Sequence, residues 1–321
     1  MHTKQKRVIC LGGGVGTSNL LRGLKKYPIH LGVVTSMADD GGSSGRLRKA
    51  YKIMPPGDII SCIAALIPED QKELTDLLTY RFTGPAKENT SIGDQKFGNL
   101  LMLAEIQRTK NFYRAIDVVK KMFSVTADIF PASDERTHLS ATTKDGRRVH
   151  SETTLDLALY SEPHGLKKIF IKPKEPKVNP QVILSLLNAD VIISGPGDLY
   201  TNQLPVLVIP QIKEALFKSK AKKIFILNIA NKPFETKGFT LDDFVNAFEE
   251  HLGTFPFDLI IANNNTQTPI PKQYDYHYIP LGDTLTRHTK AFKLIKSNLV
   301  NQAFPLYHDS KKLASEVVKH I

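Results

Sequence analysis

Short apolar runs that end in loops rich in Gly, Asn, Asp or Ser recur along this 321-residue chain. Arg7 to Leu11 leads into Gly12-Gly13-Gly14-Val15-Gly16, and His30 to Thr35 into Ala38-Asp39-Asp40-Gly41-Gly42-Ser43-Ser44-Gly45. Asp190 to Ile193 leads into Ser194-Gly195-Pro196-Gly197-Asp198, Lys223 to Leu227 into Asn228-Ile229-Ala230-Asn231-Lys232, and Leu259 to Ala262 into Asn263-Asn264-Asn265-Thr266. Runs that are apolar at successive positions belong to strands covered on both faces, as in parallel sheets. Helical periodicity lies between them, at Leu20 to Lys26, Ile59 to Ala65 and Asp242 to His251. The alternation predicts an α/β, three-layer, doubly wound fold with a mostly parallel, Rossmann-like sheet. Ligands of such sheets sit outside the carboxyl ends of the strands. The polar loops are therefore expected to converge on one face.

The middle of the chain follows another rule. Thr137 to Glu152 alternates around Lys144-Asp145-Gly146, a hairpin signal, and Leu166 to Lys172 adds a further strand. Residues 125–180 are expected to form a β-rich insertion, and 284–321 a helical C-terminal cap, in one domain spanning 1–321. Glu73 to Met122 reads as mostly helical, and the Pro- and Lys-rich Lys172 to Pro180 as a loop.

Composition narrows the class. Hydrophobic residues make up 41% and charged ones 23%, ordinary globular usage. The longest apolar windows are too short for a membrane span or a signal peptide. Cys10 and Cys62 sit in apolar segments without metal-ligand spacing, so a cytoplasmic protein without disulfides is expected. The net charge of +11 favours anionic partners without choosing among them. No nucleic-acid-binding signature accompanies the lysine runs, which read as solvated faces.

The chemistry is carried by the glycine turns. Gly12, Gly13, Gly14 and Gly16, followed by Thr17 and Ser18, lie between a strand and a helix. Backbone N–H groups at such a helix start point at an anion, and the helix dipole supports it. The dinucleotide fingerprint would need glycine where Thr17 stands, and Thr17 and Ser18 also suit helix capping. In the second loop, Asp39 and Asp40 suit ribose hydroxyls or Mg²⁺, while Gly42, Ser43, Ser44 and Arg46 suit an anion nest. Asp58, after Pro55-Pro56-Gly57, fits a site acid or a helix cap equally. Gly195 and Gly197 form a second phosphate-sized turn; Asn99, Asn228 and Arg287 are candidate ligand contacts that also suit plain caps, turns and exposed faces. The P-loop and the H-E-x-x-H zinc motif are missing.

Four runs occur in order: Gly12-Gly13-Gly14-x-Gly16, Asp39-Asp40-Gly41-Gly42-Ser43-Ser44-Gly45-Arg46-Leu47-Arg48, Pro55-Pro56-Gly57-Asp58 and Gly195-Pro196-Gly197-x-Leu199-Tyr200-Thr201. Together they resemble the YvcK/CofD-like family, in its YvcK branch, from about Val8 to Arg287. The resemblance implies a cytoplasmic regulator that binds UDP-sugars and is needed for cell shape during gluconeogenic growth. The CofD branch implies instead a 2-phospho-L-lactate transferase acting with Mg²⁺ on a guanosine-diphosphate intermediate. Carried across, the turns at 12–16 and 195–197 would hold the diphosphate, Asp39, Asp40 and Asp58 would be the site acids and tentative Mg²⁺ ligands, and Arg287 would meet the nucleotide-sugar. The sequence departs from the pattern at Gly93 to Asn99, at Ile229-Ala230-Asn231 and at Thr289. The expected partner is a nucleotide or nucleotide-sugar, a UDP-sugar first, with no nucleic acid and no membrane insertion. No cofactor is required, Mg²⁺ is admitted, and so is a homodimer. An NAD(P) dehydrogenase would need a hydride-transfer site that the motifs do not supply.

Overall fold

The computed structural model describes residues 5–84, 92–156, 165–233, 235–282 and 292–321. Its strands are β1 (Lys6–Leu11), β2 (Ile29–Thr35), β3 (Asp128–Pro131), β4 (His138–Thr143), β5 (Arg148–His150), β6 (Leu166–Lys172), β7 (Val191–Ser194), β8 (Lys222–Ile226), β9 (Ala230–Asn231), β10 (Leu259–Asn263), β11 (His277–Tyr278) and β12 (Lys293–Ser297). The described helices are α1 (Gly14–Leu24), α2 (Gly42–Tyr51), α3 (Gly57–Leu66), α4 (Lys72–Thr79), α5 (Phe97–Thr109), α6 (Phe112–Met122), α7 (Glu152–Asp156), α8 (Pro180–Leu187), α9 (Leu204–Leu207), α10 (Pro210–Lys218), α11 (Leu241–Leu252) and α12 (Ser310–Val318).

Seven strands form the main sheet in the order β12-β10-β8-β7-β1-β2-β3, every pair parallel. The two-sided burial expected of such strands is seen residue by residue. Val8 and Cys10 of β1 join one core with α1, α3, α5, α6 and α12, while Ile9 and Leu11 join a second core. Phe225 of β8 anchors that second core among Phe244, Phe248 and Phe257. A pleat of period two thus divides each strand between two helical layers. Both cysteines are buried free thiols. Among the described residues, no helix is long and apolar enough to cross a membrane.

The expected hairpin is present: β4 pairs antiparallel with β5, and also with β6. This small sheet packs Leu139, Ala141, Val149, Ile169 and Ile171 on the second core. Two boundaries need correction. β3 lies within the segment read as insertion, yet it extends the main sheet beside β2. Its backbone donors and acceptors are met there, whereas its four residues are too few to declare which sheet they serve. The tail read as a helical cap contributes β12, the far edge of the main sheet, before α12. The Lys-Leu-Ile-Lys-Ser sequence of β12 leaves both lysines exposed and buries none of its residues fully, as suits an edge strand.

Strand order reverses between β1 and β7. Chains leaving these neighbouring strands diverge to opposite faces of the sheet, which opens a crevice at their carboxyl ends. The two glycine turns, 12–16 and 195–197, stand on its two sides.

Candidate functional site

The first turn starts helix α1 without a side-chain cap. Gly13 is the N-cap residue, and Gly14 has φ +69°, a left-handed value that glycine adopts at no steric cost. The second turn approaches so closely that a β-carbon on Gly16 would lie 2.5 Å from the Pro196 carbonyl oxygen. Thr17, expected as a phosphate or capping donor, is buried and donates its hydroxyl to that carbonyl at 3.3 Å. Ser18 donates to the Gly14 carbonyl.

Beside the paired turns lies a cleft of 410 Å³. Gly13, Gly14, Gly16, Gly197 and Asn202 form its glycine end, and Ile229, Ala230, Tyr276, Leu306, Tyr307 and His308 its apolar end. Asp198 and Lys232 line it as an ion pair at 2.9 Å. Asn228 lines it too, but both amide atoms are bound to the Gly197 backbone: Oδ1 accepts from N–H at 3.0 Å and Nδ2 donates to the carbonyl at 2.9 Å. Asn228 therefore shapes the turn, and its second Nδ2 N–H and second Oδ1 lone pair are not used by these two bonds. Buried Glu235 accepts from the N–H groups of Tyr200 and Thr201 and so holds the stretch after the second turn. A larger depression of 620 Å³ lies at the amino ends of β2 and β3, lined by Lys26, His30 and Ala127, and no glycine turn opens there.

Asp58 completes the first turn. It is not an N-cap, since Pro56 holds that position; its Oδ1 accepts from the Gly14 N–H at 3.0 Å. A β-carbon on Gly13 would meet its Oδ2 at 2.0 Å, so only glycine leaves room for the carboxyl. Burial, then the nearby charge of Asp39, pushes Asp58 up to about 7; the Gly14 N–H and Lys96 oppose the rise. Burial likewise raises Asp39, against the Gly41 N–H, Ser44 and Arg48. Lys96 is lowered by burial and by Arg81, and felt in the opposite sense by both acids. Two carboxyls and an ammonium thus form one electrostatic group beside the glycine turn.

The other polar residues of the Asp-Asp-Gly-Gly-Ser-Ser loop are engaged within the protein. Asp40 accepts from the Thr153 N–H at 2.8 Å and its hydroxyl at 2.6 Å, which ties the loop to α7. Gly42 has φ +47° at the start of α2. Ser43 donates to Gln95 Oε1 and accepts from Lys96 N–H and Asn99 Nδ2. Asn99 is thereby turned to Ser43. Ser44 accepts from the Gly57 N–H at 3.1 Å. Arg46 pairs with Asp94 at 3.3 Å. Arg48, 3% exposed, donates to the carbonyls of Met37, Asp39 and Thr137. Arg287 lies outside the described residues.

The metal expectation changes with this geometry. No cluster of three or more His, Cys, Asp or Glu suited to a metal converges among the described residues, and Asp40 is turned to α7. Asp39 and Asp58 remain as a pair. That donor set fits Mg²⁺ only if a ligand's phosphates supply further oxygens, as this ion commonly requires. Lys96, Arg48, Asn202, Lys232, Glu235 and His308 were not singled out from sequence. Lys96 alone had a signal, as the last member of a polar run ahead of the Asn99 helix.

Glycine turns facing each other across the switch point of a seven-stranded parallel sheet place the chain in the Rossmann-like class. A family profile described as 2-phospho-L-lactate transferase CofD matches residues 8–312. The gluconeogenesis factor of Bacillus subtilis is 35% identical over 98% of this chain and 98% of its own length. A Clostridium acetobutylicum relative is 37% identical over 82% of this chain, which spans 57% of that protein. The crystal structure of a UPF0052-family protein from Bacillus halodurans matches with a TM-score of 0.89 and 32% identity, over 98% of this chain and 99% of that one. The chain belongs to the YvcK/CofD-like family, among its gluconeogenesis factors.

Proposed function

We propose that the chain is a cytoplasmic regulatory protein that binds a nucleotide-sugar, a UDP-sugar before others, and adjusts carbon flow and cell shape on gluconeogenic carbon sources. The observation that carries this reading is the switch-point cleft, with a helix start and a second glycine turn on one side and aromatic residues on the other. Its volume of 410 Å³ suits a nucleotide. Backbone N–H groups around a helix start favour a diphosphate. The name borne by the Bacillus subtilis relative supports the regulatory part.

One observation favours a second reading, a CofD-like transferase. Asp39 stands close enough to Asp58 to raise it, and Asp58 is poised at about 7. Such a pair would hold Mg²⁺ against ligand phosphates and neutralise charge on a leaving diphosphate.

Calorimetric titration with UDP-N-acetylglucosamine, UDP-glucose, GDP and NAD, with and without Mg²⁺, tests both. Saturable UDP-sugar binding without turnover is expected. A preference for GDP that requires Mg²⁺ would move the assignment to the transferase, and binding of NAD alone would end both readings.

A further inference from the structure

Lys96 is held at both of its ends. It is the N-cap residue of α5 and is bridged antiparallel to Arg81, and its N–H donates to the Ser43 hydroxyl at 3.0 Å. Its carbonyl accepts from the Asn99 N–H at 3.0 Å. The far end of the side chain reaches α3, where Nζ donates to the Ser61 hydroxyl at 3.3 Å. Ser61 donates in turn to the Gly57 carbonyl at 2.8 Å, so the ammonium lies over the first turn of that helix. The two site acids meet at the same turn. Asp58 belongs to it, three residues before Ser61 and therefore on one face with it. A β-carbon on Gly57 would lie 3.1 Å from Asp39 Oδ2. The charge of both carboxyls acts on Lys96.

A divalent ion would find a poor shell here. Mg²⁺ demands a near-octahedral set of oxygens, and one oxygen of each acid already accepts from a backbone N–H, Asp39 from Gly41 at 2.9 Å and Asp58 from Gly14 at 3.0 Å. An ammonium asks for less, being a compact single charge with three donors. Its tether removes the cost of capturing an ion from solution, and its charge repels a dication brought to the same carboxyls.

We infer that Lys96 is the built-in counter-ion of the Asp39–Asp58 pair and takes the place of a divalent cation, so that this chain binds a nucleotide diphosphate without metal. The inference rests on the nucleotide-sugar reading above for its ligand, and it tells against the Mg²⁺-dependent transferase. With the carboxyls balanced from within, the glycine turn beside them meets a phosphate without the repulsion of an uncompensated acid pair.

The test is calorimetric titration of the whole chain with UDP-N-acetylglucosamine, in Mg²⁺ and in EDTA, beside thermal melts of the ligand-free protein with and without Mg²⁺. Lys96→Met removes the charge and keeps the length of the side chain, and Lys96→Gln removes the charge and keeps a polar end. If one of them fails to fold, the other carries the comparison. Wild-type affinity should agree within about twofold between Mg²⁺ and EDTA, and its melting temperature should not respond to Mg²⁺. In EDTA the variants should bind about tenfold more weakly, the scale of one attraction between charges at a partly buried site, and Mg²⁺ should restore most of that loss. Without ligand, Mg²⁺ should raise the melting temperature of the variants by about 3 °C. Rescue by the metal separates a counter-ion from a merely structural lysine. Wild-type binding that fails in EDTA would overturn the inference and favour the transferase. Folded variants that bind normally in EDTA, or a loss that Mg²⁺ does not restore, would also overturn it and leave the nucleotide-sugar reading standing. If wild-type protein binds no nucleotide in either buffer, that reading fails and the ligand-free melts still decide the inference. Stabilisation of the variants alone by Mg²⁺ supports it, and an equal response of wild type and variants overturns it.

Discussion

The two glycine-rich loops at the ends of β1 and β2 look alike in sequence and do opposite things in the fold. The first, Gly12 to Gly16, carries almost no side chains and opens onto the cleft. The second, Asp39 to Arg48, is dense with polar side chains and spends nearly all of them inward, on Thr153, Gln95, Asn99, Gly57, Asp94 and three carbonyls. Asp39 is engaged as well, its Oδ1 accepting from the Gly41 N–H at 2.9 Å while Oδ2 lies beside Gly57. A loop with few side chains can offer backbone to a ligand, because nothing of its own competes. A loop rich in side chains satisfies itself first, since each buried polar group left unpaired costs about 1–3 kcal/mol. The more distinctive motif is thus the scaffold, and the plainer one is the surface that a ligand would meet.

The comparison breaks most visibly at Gly16. Replacing it with valine drives a β-carbon against the Pro196 carbonyl at 2.5 Å and forces the two turns apart. A loss of about 3 kcal/mol in urea unfolding is expected, with loss of nucleotide binding. Gly42→Ala, by contrast, meets nothing within 4 Å and strains only a φ of +47°, so about 1 kcal/mol is expected. Equal effects at the two glycines would erase the distinction between the loops. Arg48→Met should come close to Gly16→Val, at about 3 kcal/mol, because it strands three carbonyls around a buried site. If Arg48→Met unfolds at the wild-type urea midpoint, the second loop is not a scaffold.

Much of this was legible in the chain. The apolar runs at Arg7, His30, Asp190, Lys223 and Leu259 are all strands of the main sheet, because burial on two faces leaves no polar alternation to confuse them. β12 was hidden because two lysines in five residues resemble an exposed helix. At the site, glycine positions could be read, since glycine reports on backbone shape, which is local. The partners of Asp40, Ser43 and Asn228 could not. Each has enough donors or acceptors for a ligand, and only long-range packing decides that Thr153, Asn99 and Gly197 take them.

A sharper division concerns charge at Asp58. Its folded value of about 7 exceeds the ordinary 3.8, so the native state holds a proton that the unfolded chain releases more readily. The contribution of this group is therefore most favourable below about pH 4 and declines as pH rises through 7. Asp58→Asn keeps an oxygen for the Gly14 N–H and removes the titration. The variant should be more stable than wild type by roughly 4 kcal/mol at pH 8 and nearly equal to it at pH 4. Thermal melts across that range measure it, and a gap that widens towards acid would reverse the assignment.

The smallest effect expected is at Arg46, and it separates the two loops most cleanly. Sequence offers Arg46 as an anion clamp, whereas the fold pairs it with Asp94, a residue whose side chain is half exposed. An ion pair so close to water contributes about 0.5 kcal/mol. Arg46→Met should therefore lower stability slightly and leave affinity for UDP-N-acetylglucosamine within about twofold, since less than 0.5 kcal/mol corresponds to that factor. A true phosphate clamp would behave otherwise. Its loss would weaken binding by tenfold or more and flatten the dependence on salt, because one screened attraction would be gone. Calorimetry at low and high salt on this variant reads both quantities. A large, salt-dependent loss would mean that Arg46 leaves Asp94 for the ligand, and that the second loop joins the first in holding it.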